Sequence, residues 1–172
     1  MATNHYVTDG SIGIDLNYIN SARNHTLGET HQGDGGSNFI FVRFESSTNQ
    51  GALCKIDTGY LSSQASGANL ASADSRLGFA QTAFAASQYG FLALSGENVL
   101  IRLTGGAAGG GGQPLYTTDT AGQVSTASTS ASQFQVFGVW MHSSASASGT
   151  TATVVTAAVS FAHLRKPRAG GG

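Results

Sequence analysis

Short apolar runs of strand character, separated by Gly, Ser and Asn, constrain the fold more than any other feature of the chain. The runs "NFIFVRFE" (residues 38–45), "FQVFGVWM" (134–141) and "TATVVTAAVSF" (151–161) are dense in aromatic and β-branched residues, which favour strands. No segment offers ten residues with the 3.6-residue apolar period of an amphipathic helix. The pattern predicts an all-β fold: a compact barrel or sandwich of short antiparallel strands.

The segments between these runs predict how the strands connect. "SSTNQG" should join the strand at 38–45 to "GALCKID" (51–57) as a hairpin, and "HSSASASG" should form a polar hairpin loop between the last two strong strands. "FLALSG" and "NVLIRLTG" predict two strands that bracket a tight turn at "SGEN" (95–98). Residues 59–74 predict a loop, whereas "RLGFAQTAFAASQYG" (76–90) fits either a strand or a helical turn.

The chain divides into three predicted regions. Residues 1–36 are polar and turn-rich and predict an extended N-terminal arm, in which the alternation Ile12, Ile14, Leu16, Tyr18 indicates one strand. Residues 37–164 form the β domain. Residues 165–172 form a flexible basic and glycine-rich tail, whose cations are Arg165, Lys166 and Arg168. A basic arm that touches an acidic protein surface or nucleic acid is the alternative for this tail, but the sequence pI of about 6.5 disfavours nucleic acid.

The glycine run within "LTGGAAGGGGQPLYTTDTAG" (103–122) raises the question of a phosphate-binding loop. Such a loop needs a Lys-Ser or Lys-Thr pair and a helix that follows it, and neither follows Pro114. A dinucleotide fingerprint fails for lack of the same helix. We therefore predict a mobile tip loop over residues 105–112, with a return strand that starts at Pro114.

One segment, "NHTLGETHQGD", concentrates residues that could bind a metal: His25, Glu29, His31 and Asp34. The two histidines lack the i, i+4 spacing of a helical site, and the segment is glycine-rich, so a polar arm is the favoured interpretation and no metal site is predicted. The remaining histidines are expected at the surface or at strand edges: His5, His142 and His163.

No arrangement of nucleophile and base stands out. The sequence has no G-x-S-x-G elbow, its nine carboxylates are spread thinly, and the lone Cys54 falls inside a predicted strand, where a small buried hydrophobe is the usual role. We predict no catalytic, cofactor-binding or metal-binding residues, and a protein that is not an enzyme. Trp140 shares the strand face of Phe134 and Val136, which predicts a core position.

Charge is scarce. Only 10% of the 172 residues are charged and the net charge is −1, which gives weak protection against self-association. Either copies of the chain or a partner cover much of the surface, or the protein is a monomer kept soluble by Ser, Thr and Asn. The start of the chain lacks the features of a signal peptide, and no apolar stretch approaches a membrane span, so synthesis in a cytoplasm is expected.

Residues 76–122 resemble the capsid decoration (cement) proteins of tailed bacteriophages. The segments that carry the resemblance are "LGFAQTAFAASQYGFLALSG", "NVLIRLTGG" and "PLYTTDTAGQV". In that family a Gly-aromatic-Ala start leads to a "YGF/W" step, a Val- or Ile-rich strand that ends in small residues, and a "LYT…TAG" segment. The match covers about a quarter of the chain; "GFL" stands where "GW" is more usual, and the glycine insert is longer than expected.

The resemblance implies a structural virion protein. It would sit on the capsid exterior as a homotrimer, bind the major capsid protein and stabilise its lattice, without cofactor, small-molecule substrate, nucleic acid or membrane. Two other classes remain open: a carbohydrate- or host-surface-binding β module, which an exposed Trp or Tyr would favour, and a hydrolase whose site assembles from distant residues.

Overall fold

The protein is an all-β structure, as its sequence pattern predicts. The computed structural model describes residues 6–7, 14–15, 19–33, 36–70, 76–109, 112–127, 132–142, 145–146 and 151–165. Fourteen strands are found in these residues: β1 (Tyr6–Val7), β2 (Ile14–Asp15), β3 (Thr30–Gln32), β4 (Asn38–Phe44), β5 (Leu53–Ile56), β6 (Leu61–Gln64), β7 (Arg76–Ala80), β8 (Tyr89–Leu103), β9 (Ala108–Gly109), β10 (Leu115–Thr117), β11 (Val124–Ser125), β12 (Gln135–Met141), β13 (Ala145–Ser146) and β14 (Thr153–Arg165).

Ten of the strands form one sheet that closes on itself twice, and both closures use β8. Its first half pairs with β4 on one edge and β7 on the other, which completes a ring in the order β8–β7–β5–β6–β4. Its second half pairs with β14 and β11 and completes a ring in the order β8–β14–β12–β10–β11. The molecule is therefore built from two small five-stranded barrels that share one long strand.

The two rings have the same topology. Each contains four antiparallel pairings and one parallel pairing, β4–β6 in the first ring and β8–β11 in the second. The equivalent hairpins β5–β6 and β10–β11 also begin alike, with "LCKIDT" (53–58) and "LYTTDT" (115–120). Shared topology and a shared L-x-x-x-D-T pattern indicate an internal repeat, in which β8 ends the first unit and begins the second.

Two buried clusters hold the rings together. One lies among strands of the first ring and includes Phe44 and Phe84, whose rings stack with centroids 3.9 Å apart. The other runs from Phe41 and Phe91 in the first ring to Leu115 and residues of β12 and β14 in the second. Because the second cluster crosses from one ring to the other, the rings bury a continuous apolar core.

Two predicted connections are wrong. The strand at 38–45 does not form a hairpin with the strand at 51–57, because β4 is already paired on both edges, with β8 on one side and with β3 and β6 on the other. The predicted turn at "SGEN" lies inside β8. Its polar Glu97 and Asn98 form a bulge, because Gly96 pairs with Val159 while Val99 pairs with Ala157.

Other local predictions have mixed outcomes. The hairpin between β12 and β14 and a return strand next to Pro114 are confirmed, and the ambiguous segment after Arg76 begins as strand β7. The predicted loop at 59–74 contains β6, which sequence reasoning missed. The predicted tip loop at 105–112 is wrong in part, because it contains β9, which pairs with β13; residues 110–111 lie outside the described ranges. Of the proposed N-terminal strand only Ile14–Asp15 is described, paired with β1.

The core position predicted for Trp140 is wrong, because a second bulge reverses the alternation of β12. Gly138 has a φ of +78°, and the register against β14 shifts between Phe137 and Val139. Val136, Val139 and Met141 therefore face the core, and the Trp140 side chain is 52% exposed.

Candidate functional site

A tight turn and the edge strand β3 bring together three of the four candidate metal ligands. Gly28 adopts a φ of +84° in the turn "TLGE" (26–29), where the Glu29 amide donates a hydrogen bond to the Thr26 carbonyl oxygen. The turn is anchored to β4, since the Gly28 amide donates to the Phe41 carbonyl oxygen. His31 follows on β3, directly opposite Phe39 of β4.

The three side chains form a compact cluster, which we call the His–Glu–His cluster: His25, Glu29 and His31. One ligating atom from each residue lies within 4.8 Å of the other two. The Glu29 Oε1 atom is 3.1 Å from His31 Nε2, and Glu29 Oε2 is 3.7 Å from His25 Nδ1. His25 and Glu29 are four residues apart, but the two histidines lack that spacing, and a turn and a strand bring them together instead of a helix. The signal in the sequence is the turn "TLGE" between the histidines.

Aromatic rings enclose the inner side of this cluster. The His25 ring packs edge-on against Phe41 and Phe91, with centroid distances of 5.1 and 5.3 Å, and the His31 ring packs edge-on against Phe91 at 5.4 Å. The His31 side chain is only 7% exposed, whereas that of Glu29 is 38% exposed. The cluster thus has a dry inner wall and a side open to solvent.

The remaining candidate ligands do not join this cluster among the described residues. His142 is exposed at the end of β12 and hydrogen-bonds through Nε2 to the Glu97 carbonyl oxygen. His163 is exposed within β14, and its ring stacks on Phe137 with centroids 5.5 Å apart. Asp34 and His5 lie outside the described residues, as do the tail cations Lys166 and Arg168.

Cys54 lies fully buried in β5, in agreement with the structural role expected of it. Burial raises the pKa of its thiol to about 12. A thiol with so high a pKa is protonated at neutral pH and is a poor nucleophile. Cys54 therefore serves the packing of the first ring.

Strands β12 and β14 carry four aromatic side chains on their outer side, and we call this set the outer aromatic face: Phe137, Trp140, Phe161 and His163. Trp140, Phe161 and His163 are exposed, and Phe137 is half-buried. Phe161 is 55% exposed, more than any other large hydrophobic residue among those described. Its φ of +46° lies in the left-handed region, which is costly for a residue with a bulky side chain. The strained backbone at Phe161 and the bulge beside Trp140 both occur where the two strands display these rings.

The beginning of the glycine run lines an open pocket of about 400 Å³ at one end of the second ring. Gly105 and Gly106 face the hydroxyl-rich turn of the β10–β11 hairpin and the residues that follow β11. The described part of the lining carries one ionisable side chain, that of Asp119. A carboxylate disfavours a bound phosphate, in agreement with the absence of phosphate-loop chemistry from the sequence.

No protein-family model matches the chain, and no curated protein matches it. In the described part of the chain, no helix has the length and apolar character needed to cross a membrane.

Proposed function

We propose that this protein is a structural virion protein that binds the outer surface of a phage capsid as a homotrimer and stabilises the lattice of the major capsid protein. The outer aromatic face carries the proposal, with the resemblance of residues 76–122 to decoration proteins. In this proposal the chain is made in the host cytoplasm, has no catalytic role, and takes only the major capsid protein and its own copies as partners.

Exposed aromatic side chains are typical anchors of protein interfaces. Trp140 and Phe161 lie on neighbouring strands and are each more than half exposed. A fully buried aromatic side chain removes about 150–250 Å² from water, and a standard interface takes about 800 Å² from each partner. Because each ring is already about half buried in the free chain, docking would remove about half of that area per ring, and the two rings would supply about a quarter of one contact.

The composition of the surface fits the same role. Charged residues are depleted at the centres of interfaces, and only 10% of this chain is charged. The unfavourable backbone at Phe161 costs the isolated chain stability, and such strain is usually retained where the side chain has a task. Many copies on one lattice gain avidity, so each contact need not be strong.

A binding assay on capsids tests the proposal. Capsids assembled without this protein are mixed with increasing amounts of purified chain and sedimented, and the bound protein is quantified. We expect saturable uptake in multiples of three copies per lattice position, together with a trimer mass by light scattering. Capsids that take up no protein would refute the proposal.

A carbohydrate-binding module is the second candidate, and the exposure of Trp140 favours it. An indole ring that is open to solvent can stack on the apolar face of a sugar ring, as the neighbouring Phe161 can. A glycan array distinguishes the two functions: strong, specific hits that the Trp140→Ser variant loses support the carbohydrate module, and an array without hits supports the structural role.

A further inference from the structure

We propose that His25, Glu29 and His31 bind a divalent transition-metal ion of the Zn²⁺ class. The site lies on β3 and the turn before it, away from the aromatic residues of β12 and β14 that carry the proposed function. The proposal of a metal site is therefore independent of the proposal of capsid binding.

The donor set suits such an ion. Two imidazole nitrogens and one carboxylate are ligands that Zn²⁺ accepts in proteins, whereas Mg²⁺ and Ca²⁺ prefer oxygen ligands throughout. Three protein ligands also leave a fourth coordination position open. In this cluster the open side is the solvent side, where the Glu29 side chain is partly exposed.

The distances suit it as well. Two ligands that each lie about 2.0–2.1 Å from a tetrahedral ion are about 3.3 Å from each other. The distances of 3.1 Å from Glu29 Oε1 to His31 Nε2 and 3.7 Å from Glu29 Oε2 to His25 Nδ1 fall on either side of that value, although they involve different carboxylate oxygens. With one ligating atom taken from each residue, the three atoms lie within 4.8 Å of one another. Small side-chain rotations close the remaining difference, since His25 and Glu29 are partly exposed and their backbone is already fixed by the turn.

His31 supplies a second, independent observation. Its Nε2 atom is buried and makes no hydrogen bond, although the Glu29 carboxylate lies 3.1 Å away. A buried polar atom that has a carboxylate as its neighbour but makes no hydrogen bond to it costs free energy comparable to a lost hydrogen bond, so its position calls for an explanation. An ion held between Nε2 and the Glu29 carboxylate would satisfy both groups.

The surroundings strengthen the binding of an ion. Phe41 and Phe91 pack against the imidazoles and exclude water from the inner side, which lowers the local dielectric. Glu29 is already oriented, because its Oε2 atom accepts a hydrogen bond from the Thr26 amide. The ligands are thus partly preorganised, which reduces the entropy cost of binding.

An ion at this position would fasten the segment before β4 to the sheet. The cluster spans the turn at 26–29 and β3, the outermost strand on its side of the sheet. Only short backbone pairings hold this edge, so a metal link between turn and strand would add stability where the sheet is weakest. We expect the metal to increase the hydrogen-exchange protection of backbone amides at this edge more than that of amides in the two rings.

Titration of the untagged protein with Zn²⁺ tests the site. After treatment with EDTA and dialysis, isothermal calorimetry should show one Zn²⁺ bound per chain, and Co²⁺ should give the intense visible absorption of a four-coordinate ion. At zinc concentrations about 100-fold above the dissociation constant, the Tm should rise by about 5–10 °C, and EDTA should reverse the rise.

Variants separate this site from adventitious binding. Glu29→Gln keeps an acceptor for the Thr26 amide but removes the charge, and His25→Ala removes a partly exposed ligand; each should weaken Zn²⁺ binding at least tenfold. The matched control is His142→Ala, because His142 lies 4.0 Å from the Glu97 carboxylate and forms a His–Glu pair elsewhere. This control should bind Zn²⁺ as the wild type does.

Hydrogen exchange gives a readout that does not depend on the variants. Zn²⁺ should slow exchange of the Gly28 and Phe41 amides, which connect the turn to β4, and leave the amides of β12 unchanged. Folded protein that binds no Zn²⁺ at micromolar concentrations would overturn the proposal. Binding that survives both ligand variants, or that is lost in His142→Ala, would overturn it as well.

Discussion

The backbone of Gly138 in β12 lies so close to Ser160 in β14 that a Cβ at position 138 would stand 2.5 Å from the Ser160 carbonyl oxygen. Gly138 also has a φ of +78°, which residues other than glycine rarely adopt. This close approach forms the bulge that turns Trp140 outward and accompanies the left-handed conformation of Phe161. The bulge at Gly138 thus places Trp140 on the solvent side of β12.

The bulge predicts that Gly138→Ala destabilises the protein by about 2–4 kcal/mol, because the variant adds a steric clash to an unfavourable φ. Gly112→Ala is the matched control: its φ is +83°, but a Cβ there meets no atom within 4 Å. The control should lose only about 1 kcal/mol. Urea unfolding followed by circular dichroism measures both values, and equal losses would show that the contact with Ser160 does not matter.

Trp140→Ser should separate binding from stability. The Trp140 side chain is 52% exposed, so only its buried half supports the fold, and the free energy of unfolding should fall by about 1–2 kcal/mol while the protein stays folded. The affinity for capsids should fall at least tenfold. Truncation of a buried Trp at the centre of an interface typically costs about 2 kcal/mol or more of binding free energy. Ile19→Ser, at an exposed apolar residue outside the outer aromatic face, should bind like the wild type. Equal binding by Trp140→Ser and the wild type would exclude Trp140 from the interface.

Phe161→Asn should stabilise the isolated protein while weakening its binding. Asn tolerates the left-handed region better than Phe, so relief of strain is worth up to about 1 kcal/mol. Ser87→Asn is the control, because Ser87 also has a positive φ, of 67°, but lies outside β12 and β14. Thermal unfolding measures the stability of both variants, and capsid sedimentation on the same samples measures their binding. A Phe161→Asn variant that is less stable than the wild type would contradict this explanation.

The buried thiol of Cys54 predicts a specific loss of stability at high pH. Its pKa is about 12 in the folded protein and near the ordinary value of 9.0 in the unfolded chain, so the stabilising effect is complete below pH 9. Between pH 9 and pH 12 only the unfolded chain loses the proton, and stability should fall by about 1.4 kcal/mol per pH unit. Cys54→Ala should lack this component, and the difference between the two unfolding curves isolates it from other titrations. Parallel curves would contradict a buried neutral thiol.

Local pattern predicts most strands because aromatic and β-branched residues favour an extended backbone wherever they occur. Local pattern does not predict which strands pair. β4 pairs with β8 and not with β5, the next strand in sequence, because the pairing of β4 depends on the closure of a ring. Bulges also make the alternation of buried and exposed residues unpredictable, because they depend on the register between paired strands. At Gly96 and Gly138 one strand gains residues relative to its partner, and only the paired register reveals it.

The candidate metal site shows a similar limit. The sequence contains all three residues within one short segment, but their spacing matches no helical metal motif. The three side chains converge because Gly28 adopts a left-handed conformation and because the turn is hydrogen-bonded to Phe41. Phe41 is distant in sequence, so a local sequence pattern does not predict that hydrogen bond. The sequence therefore identifies the candidate ligands but does not predict the distances between them.

The proposed capsid-binding role is tested most directly by a cryo-electron microscopy map of capsids assembled without this protein and then saturated with it. We expect additional density at threefold or quasi-threefold positions on the capsid exterior, three copies at each, with Trp140 and Phe161 buried against a neighbouring subunit. A map identical to that of the bare capsid, or one in which both side chains face solvent, would contradict it.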